Sequence, residues 1–214
     1  MRLPILLKAG LLLVASAVCA STDVSADVPV EALSDRAAVF ALEQQSAGVA
    51  LADKLWGLAE LGYLEYQSSA ALQSYLAEHG FTVEPGVGGI PTAFVATFRS
   101  GAEVDAGPVV ALLAEFDALP GLNQAALPYR QVTEERAAGH ACGHHLFGAA
   151  SAAAAVALSQ WLQDTQVSAT IKLVGTPAEE GGSGKVYLAR AGVFDGVDVV
   201  LHWHPGDGNS ASPS

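Results

Sequence analysis

No feature of this 214-residue sequence limits the fold more than the stretch from Pro108 to Phe116, apolar throughout except for Glu115. A strand with one face in water alternates apolar and polar residues. A continuous run suits a strand buried on both faces, as in a sheet covered by helices on either side. Patterns alternate from there on: an Ala-rich helix is expected over 146–162, a strand over 169–174, a helix over 184–191 and a strand over 197–202. That order predicts an α/β fold, a layered and mostly parallel sheet with flanking helices. Upstream, the spacing of Val39, Leu42, Val49, Leu55 and Leu58 predicts one amphipathic helix over 34–61, stopped by Gly62. Leu72, Tyr75 and Leu76 mark a second helix over 68–79, and 81–84 and 93–99 read as strands around a Pro/Gly loop. Residues 100–107 read as a turn and 122–139 as a loop or lid.

The start of the chain is set apart from this fold. Arg2 and Lys8 precede an apolar run from Ala9 to Val18, and Val18-Cys19-Ala20 leads into Ser21. This pattern predicts a signal peptide over 1–20, removed on export to a periplasm or the exterior, and then a polar leader over 21–33. The run has about half the length that spans a bilayer, so no stable membrane anchor is expected. Val18 is bulkier than the small residue that lipoprotein processing favours before a cysteine. Removal of 1–20 takes Cys19 away and leaves Cys142 without a disulfide partner. Such a thiol is either a buried apolar filler or a metal ligand. Lys and Arg number 10 against 22 Asp and Glu, a net charge of −12 with no basic patch, which excludes a nucleic-acid partner.

The neighbours of Cys142 favour a metal. Between Gly139 and His145 stand His140, Cys142, His144 and His145, all donors that suit zinc-like cations, with flanking glycines that let the backbone turn. Alternation places Cys142 and His144 on one side, a parity that His140 shares. Glu179 and Glu180 follow the strand expected over 169–174, where one carboxylate could ligate a metal while the other takes a proton from water. A surface pair at a helix start is the ordinary alternative. His202 and His204 follow the last apolar strand, and Glu115 and Asp117 stand at the end of the 108–116 run. All these residues fall at carboxyl ends of expected strands or in the loops after them, where open α/β sheets place their sites. Ser183 lacks the second flanking glycine of a nucleophile elbow, since Lys185 occupies that position.

In order and spacing, four motifs resemble the aminoacylase/carboxypeptidase amidohydrolases with two co-catalytic metals, metallopeptidase family twenty. They are Asp117-Ala118-Leu119-Pro120, His140-Ala141-Cys142-Gly143-His144, Pro177-Ala178-Glu179-Glu180-Gly181-Gly182 and Trp203-His204-Pro205. Ile90 to Phe94 and the glycines after the Glu pair resemble especially the branch that contains aminobenzoyl-glutamate utilization protein B. The likeness runs from about Ala32 to Asn209. It implies two divalent metal ions, zinc or manganese, with cobalt also admissible. By the same resemblance Cys142, His144 and Glu180 are ligands, together with His204 or, as the alternative, His202. Glu179 becomes the general base and Asp117 orients the ligand shell. Family members often carry Asp or Asn where this chain has His145, which leaves that position without an implied role.

The implied activity is metal-dependent hydrolysis of the amide bond in N-acyl amino acids or small peptides such as aminobenzoyl-glutamate. The implied partners are a small-molecule substrate and, in the complete protein, a second copy in a homodimer. Because family members are considerably longer, residues 34–205 are expected to form a partial catalytic domain, the amino-terminal part of a zinc-peptidase-like one. Residues 206–214 would be a tail or the start of a lid or dimerisation domain. The alternative function is a truncated, non-catalytic metal-binding fragment.

Overall fold

The computed structural model describes residues 30–101, 107–133, 137–208 and 210–211. The signal over 1–20 and residues 21–29 of the leader therefore lie outside the described residues, and its last four residues open the first helix. None of the described helices is long and apolar enough to cross a membrane. In chain order the elements are α1 (Val30–Glu43), α2 (Gln45–Leu58), α3 (Tyr66–Glu78), β1 (Thr82–Pro85), β2 (Phe94–Ser100) and β3 (Val109–Ala114). Two short strands follow, β4 (Leu119–Pro120) and β5 (Ala138–Gly139), then α4 (His144–Thr165) and β6 (Ala169–Gly175). The four-residue α5 (Glu179–Gly182), α6 (Gly184–Arg190) and β7 (Val199–Leu201) complete the set.

Five strands form one sheet in the order β1-β2-β6-β3-β7, parallel from β6 through β3 to β7 and extended by β2 and β1 running antiparallel. The α/β class and its layering follow the expectation. Strand β3 lies inside the sheet because both of its faces are apolar. Leu112 and Ala114 face a core shared with Leu55 of α2, Leu72 of α3 and Val156 of α4. Ala111 and Leu113 face a second core with Ile90, Val174 and Leu188 of α6. At the carboxyl ends, the Thr176 amide and hydroxyl both donate to Ala114 O, at 2.8 and 3.0 Å, tying the exits of β6 and β3 together.

Three expectations need correction. The helix over 34–61 is two helices, broken at Gln44, a buried side chain that donates to Gln160 and accepts from the Tyr75 hydroxyl. These polar bonds, invisible to apolar spacing, hold the break, and Ala59 in the left-handed region (φ 42) ends α2 before Gly62. Val39, Leu42 and Val49 of the supposed buried stripe are more than half exposed, while Leu51, Ala52 and Leu55 are buried. Both helices meet α4 through alanines, and the bulkier side chains stay at the rim of an apolar groove of about 600 Å³. Finally, the strand expected over 197–202, whose apolar run suits burial, is the shorter β7, paired among the described residues only with β3, and Val199, Val200 and Leu201 are 46–50% exposed.

Gly148 marks where α4 crosses closest to the sheet: a Cβ there would lie 2.7 Å from Glu115 O. In a free helix, Gly to Ala gains about 1 kcal/mol. Here overpacking dominates, and Gly148→Ala is expected to cost on the order of 1–3 kcal/mol, seen as a lower urea midpoint. A raised midpoint would contradict the close approach of α4 to β3.

Candidate metal centre

Chain segments leaving β3, entering α4, leaving β6 and leaving β7 converge at one end of the sheet. Buried Glu115, Phe116 and Asp117 follow β3 directly. The next residues are held in place by the β4–β5 pairing and by an Ala118 amide that donates to Glu60 O at 2.8 Å. Gly143, at φ 86, turns the chain into α4, so His144 is the first residue of that helix and is 1% exposed. The metal-donor motif therefore does not alternate as an extended loop would: the helix start, not strand parity, sends His144 inward. Ala178 adopts the left-handed region (φ 57, ψ 44) and turns the chain leaving β6 into α5, whose first two residues are Glu179 and Glu180. After β7, the rings of His202, Trp203 and His204 gather around Phe147, and Trp203 Nε1 donates to Ser151 Oγ. The bare Cα of Gly143 gives room to the Pro205 ring, since a Cβ would stand 3.0 Å from it. That seat brings His204 Nε2 to 3.3 Å from the Cys142 sulfur.

His144 is gripped from both sides. Its Nδ1 donates to Asp117 Oδ1 at 2.8 Å, while Oδ2 of the same carboxylate accepts from the Glu180 amide at 3.0 Å. Its Nε2 lies 2.9 Å from Glu115 Oε2 and 3.9 Å from Glu179 Oε2, close enough for charge to matter, yet is aligned for a hydrogen bond with neither. Burial alone would lower the His144 pKa, but its bond to Asp117, the close contact of Glu115 and the charges of both push it up to about 10. Burial opposes ionisation of Glu115 as well, and the contacts and charges of His144 and Lys185 override it and hold the carboxyl at about 2. The Cys142 thiol is pushed up to about 11 by burial, then by its hydrogen bond to Glu180 and the charges of Glu180, Glu179 and Glu115. The protein alone thus holds protons on both Cys142 and His144, and a cation bound at these atoms has to displace them.

Two sets of donor atoms lie within 4.8 Å of one another: Cys142 with His144 and His204, and Glu115 with His144 and Glu179. Two buried atoms here lack a hydrogen-bond partner, His144 Nε2 and Glu180 Oε1. A sulfur, imidazoles and carboxylates around such unpartnered buried atoms fit a divalent transition metal. Because Nδ1 is taken by Asp117, His144 offers one nitrogen, shared by both donor sets.

Of the histidines read from the sequence, His204 joins Cys142 and His144. His202 instead meets Glu115 Oε1 at 3.3 Å. His140 is buried away from them with Nε2 against Leu55 O, where burial and then the charge of His145 lower its pKa to about 4. His145 packs between the rings of Trp56 and His140. Sequence reading missed Glu65, fully buried beneath the Glu pair. It accepts from the Ala178 amide at 2.8 Å and the Thr92 hydroxyl at 3.0 Å, and burial pushes its carboxyl pKa up against those bonds. Ahead of α3 it reads as an ordinary helix-start acid, and nothing in its local spacing marks it. Beside the site is a cavity of about 430 Å³ lined by Leu61, Tyr63, Leu119, Pro120 and the glycines of α5, with Asp117 and Glu180 at its edge. The larger groove between α1, α2 and α4 has no ionisable lining and offers no chemistry.

The sequence and fold have known counterparts. The family model for Peptidase family M20/M25/M40 matches residues 111–213. One of the subunits of the p-aminobenzoyl-glutamate hydrolase of Escherichia coli (strain K12) is 46% identical over 158 residues, 72% of this chain and 31% of that protein. The Xaa-Arg dipeptidase of Mus musculus is 35% identical over 87% of this chain and 41% of that protein. This chain therefore spans about a third to two fifths of the length of these relatives. The crystal structure of the Bacillus subtilis YXEP protein, a dinuclear metal-binding peptidase from the M20 family, shares the fold with a TM-score of 0.62 at 24% identity. That match covers 77% of this chain and 44% of the other.

The Glu115–Lys185 ion pair yields a test with a defined sign. With its pKa held below the ordinary 4.5, Glu115 contributes stability that is full above 4.5 and is lost as pH falls towards about 2. Lys185→Met strips a buried carboxylate of one of its two cationic partners, His144 being the other, and is expected to cost on the order of 1–3 kcal/mol at neutral pH. The gap from wild type in urea midpoint should shrink steadily below pH 4.5. A gap independent of pH would show that the pair is not what Lys185 supplies.

Proposed function

Because the chain belongs to the M20/M25/M40 peptidase family, we propose that this cluster is a divalent-metal centre for hydrolysing the amide bond of small N-acyl amino acids or dipeptides. The observation that carries the reading is His144, with Nδ1 fixed on Asp117, Nε2 left without a hydrogen bond, and a ring nitrogen within 4.8 Å of donor atoms on Cys142 and His204. In this reading Cys142, His144, Glu180 and His204 are ligands of a centre of two divalent ions, zinc or manganese, with cobalt a further candidate. An aroyl-glutamate such as aminobenzoyl-glutamate is the leading substrate, supported by the 46% identity to a hydrolase of that compound. The neighbouring cavity is of small-molecule size. The leader sequence supports export, and the family resemblance supports a homodimer.

When bound, such ions polarise an amide carbonyl and acidify water. The chain's own residues divide the remaining work. Asp117 keeps one proton of His144 on Nδ1, so that Nε2 presents its lone pair once a cation has displaced the other proton. The Glu179 side chain is 43% exposed and reaches towards the site, where it can take a proton from the attacking water and return it to the departing amine. Glu180, next in the chain, has a buried Oε1 without a hydrogen-bond partner, which supports its reading as a ligand. Leu61, Tyr63 and Pro120 offer an apolar wall to an acyl group.

Two measurements test this assignment. Cys142→Ser and His144→Ala should each reduce the bound metal found by elemental analysis after purification, and unchanged stoichiometry in both would remove them as ligands. In a form of the protein with measurable turnover, Glu179→Gln should keep its metal and lose on the order of 10²-fold or more in kcat. Glu180→Gln should instead lose metal, and equal metal loss in both variants would refute the division of roles.

A further inference from the structure

The direction of the Glu pair is imposed from outside its own helix. A helix of four residues cannot sustain itself, and α5 has a single turn, in which the Gly182 amide donates to Ala178 O. Ala178 is also held in the left-handed region that alanine rarely adopts (φ 57). Contacts at both ends of α5 hold this arrangement, and they come from one segment, 62–65. Gly62 lies so close to Ala178 that a Cβ would stand 3.0 Å from its Cα. The Tyr63 hydroxyl donates to Gly182 O at the far end. Glu65 Oε1 accepts from the Ala178 amide at 2.8 Å, and Oε2 accepts from Thr92 Oγ1 at 3.0 Å. Thr92 is fixed in turn by Ser69 Oγ, which donates to its carbonyl oxygen, and the Ser69 amide donates to Glu65 O.

We propose that Glu65 is a positioning residue of the metal centre, aiming Glu179 and Glu180 by fixing the Ala178 amide and touching neither metal nor substrate. Its counterpart is Asp117, which holds the Glu180 amide at 3.0 Å. The amides of residues 178 and 180 thus each rest on a buried carboxylate, and Glu179 is carried between them. A carboxylate suits the position because it offers two acceptor oxygens to two donors, and a charged acceptor makes the stronger bond to an amide. The role rests on the reading of Glu180 as a ligand, and the experiment separates the two.

Cobalt(II) is titrated into the purified chain and into Glu65→Leu, Glu65→Gln and Gly62→Ala, following the thiolate-to-cobalt absorption that Cys142 would give, with urea midpoints measured in parallel. Glu65→Leu should weaken cobalt binding on the order of tenfold or more. Glu65→Gln, whose amide oxygen still accepts from Ala178 and whose amide nitrogen can donate to Thr92 Oγ1, should restore most of the affinity. Gly62→Ala displaces Ala178 without removing a buried charge and should weaken binding to a smaller extent. It stands as the test if Glu65→Leu does not fold. Wild-type cobalt affinity in a folded Glu65→Leu, or in Gly62→Ala if that is the variant that folds, overturns the positioning role even where the urea midpoint falls. Equal losses in Glu65→Gln and Glu65→Leu also overturn it, because charge rather than placement would then be the need. Absence of cobalt binding by the unaltered chain overturns the metal-centre reading itself, a result distinct from the other two.

Discussion

One carboxylate joins the parts of this molecule that the sheet alone would leave separate. Asp117 follows β3, its Oδ1 accepts from His144 at the head of α4, and its Oδ2 accepts from Glu180 in the segment after β6. Three chain segments far apart in sequence thus share a side chain that is 2% exposed. The placement depends on small residues nearby. Gly148 lets α4 lie close enough to β3 for His144 to reach Asp117, and Gly62 lets Ala178 come close enough for Glu180 to reach it. The centre is assembled by backbone proximity first, and the donor atoms follow.

The electrostatics follow from the same crowding. Glu65, Glu115 and Asp117 are all buried within one region, a concentration of acid that a protein interior does not tolerate uncompensated. Lys185 and the raised proton affinity of His144 offset part of it. The rest is a standing preference for cations, and it makes the region more than a set of well-spaced ligands. Divalent ions replacing the protons of Cys142 and His144 would relieve the repulsion that keeps those protons bound.

Much of this could be read from the sequence, and the remainder shares one character. Cys142 and His144 are legible because they are two residues apart, and a motif so dense in soft donors has few other uses. The strand over 108–116 is legible because its apolar run has no solvent face. By contrast, the standing of His204 against His202 depends on the Pro205 ring resting on Gly143, a contact between residues more than sixty positions apart. Glu65 depends on an amide more than a hundred positions away. The break at Gln44 is set by polar partners on α3 and α4, which apolar periodicity cannot register. Local pattern named the layers. Long-range contact decides which of the donors lie together.

The outer edge of β7 has a colloidal consequence. With β3 as its only strand partner among the described residues, it turns one row of backbone donors and acceptors away from the sheet, between half-exposed Val199, Val200 and Leu201. Such an edge is a template on which another copy can lay its own strand. Against such pairing stands the net charge of −12, a long-range repulsion felt before the edges meet. Concentrated salt shortens the range of that repulsion, and acid that protonates the carboxylates removes its source, so either condition brings sticky edges within reach of each other.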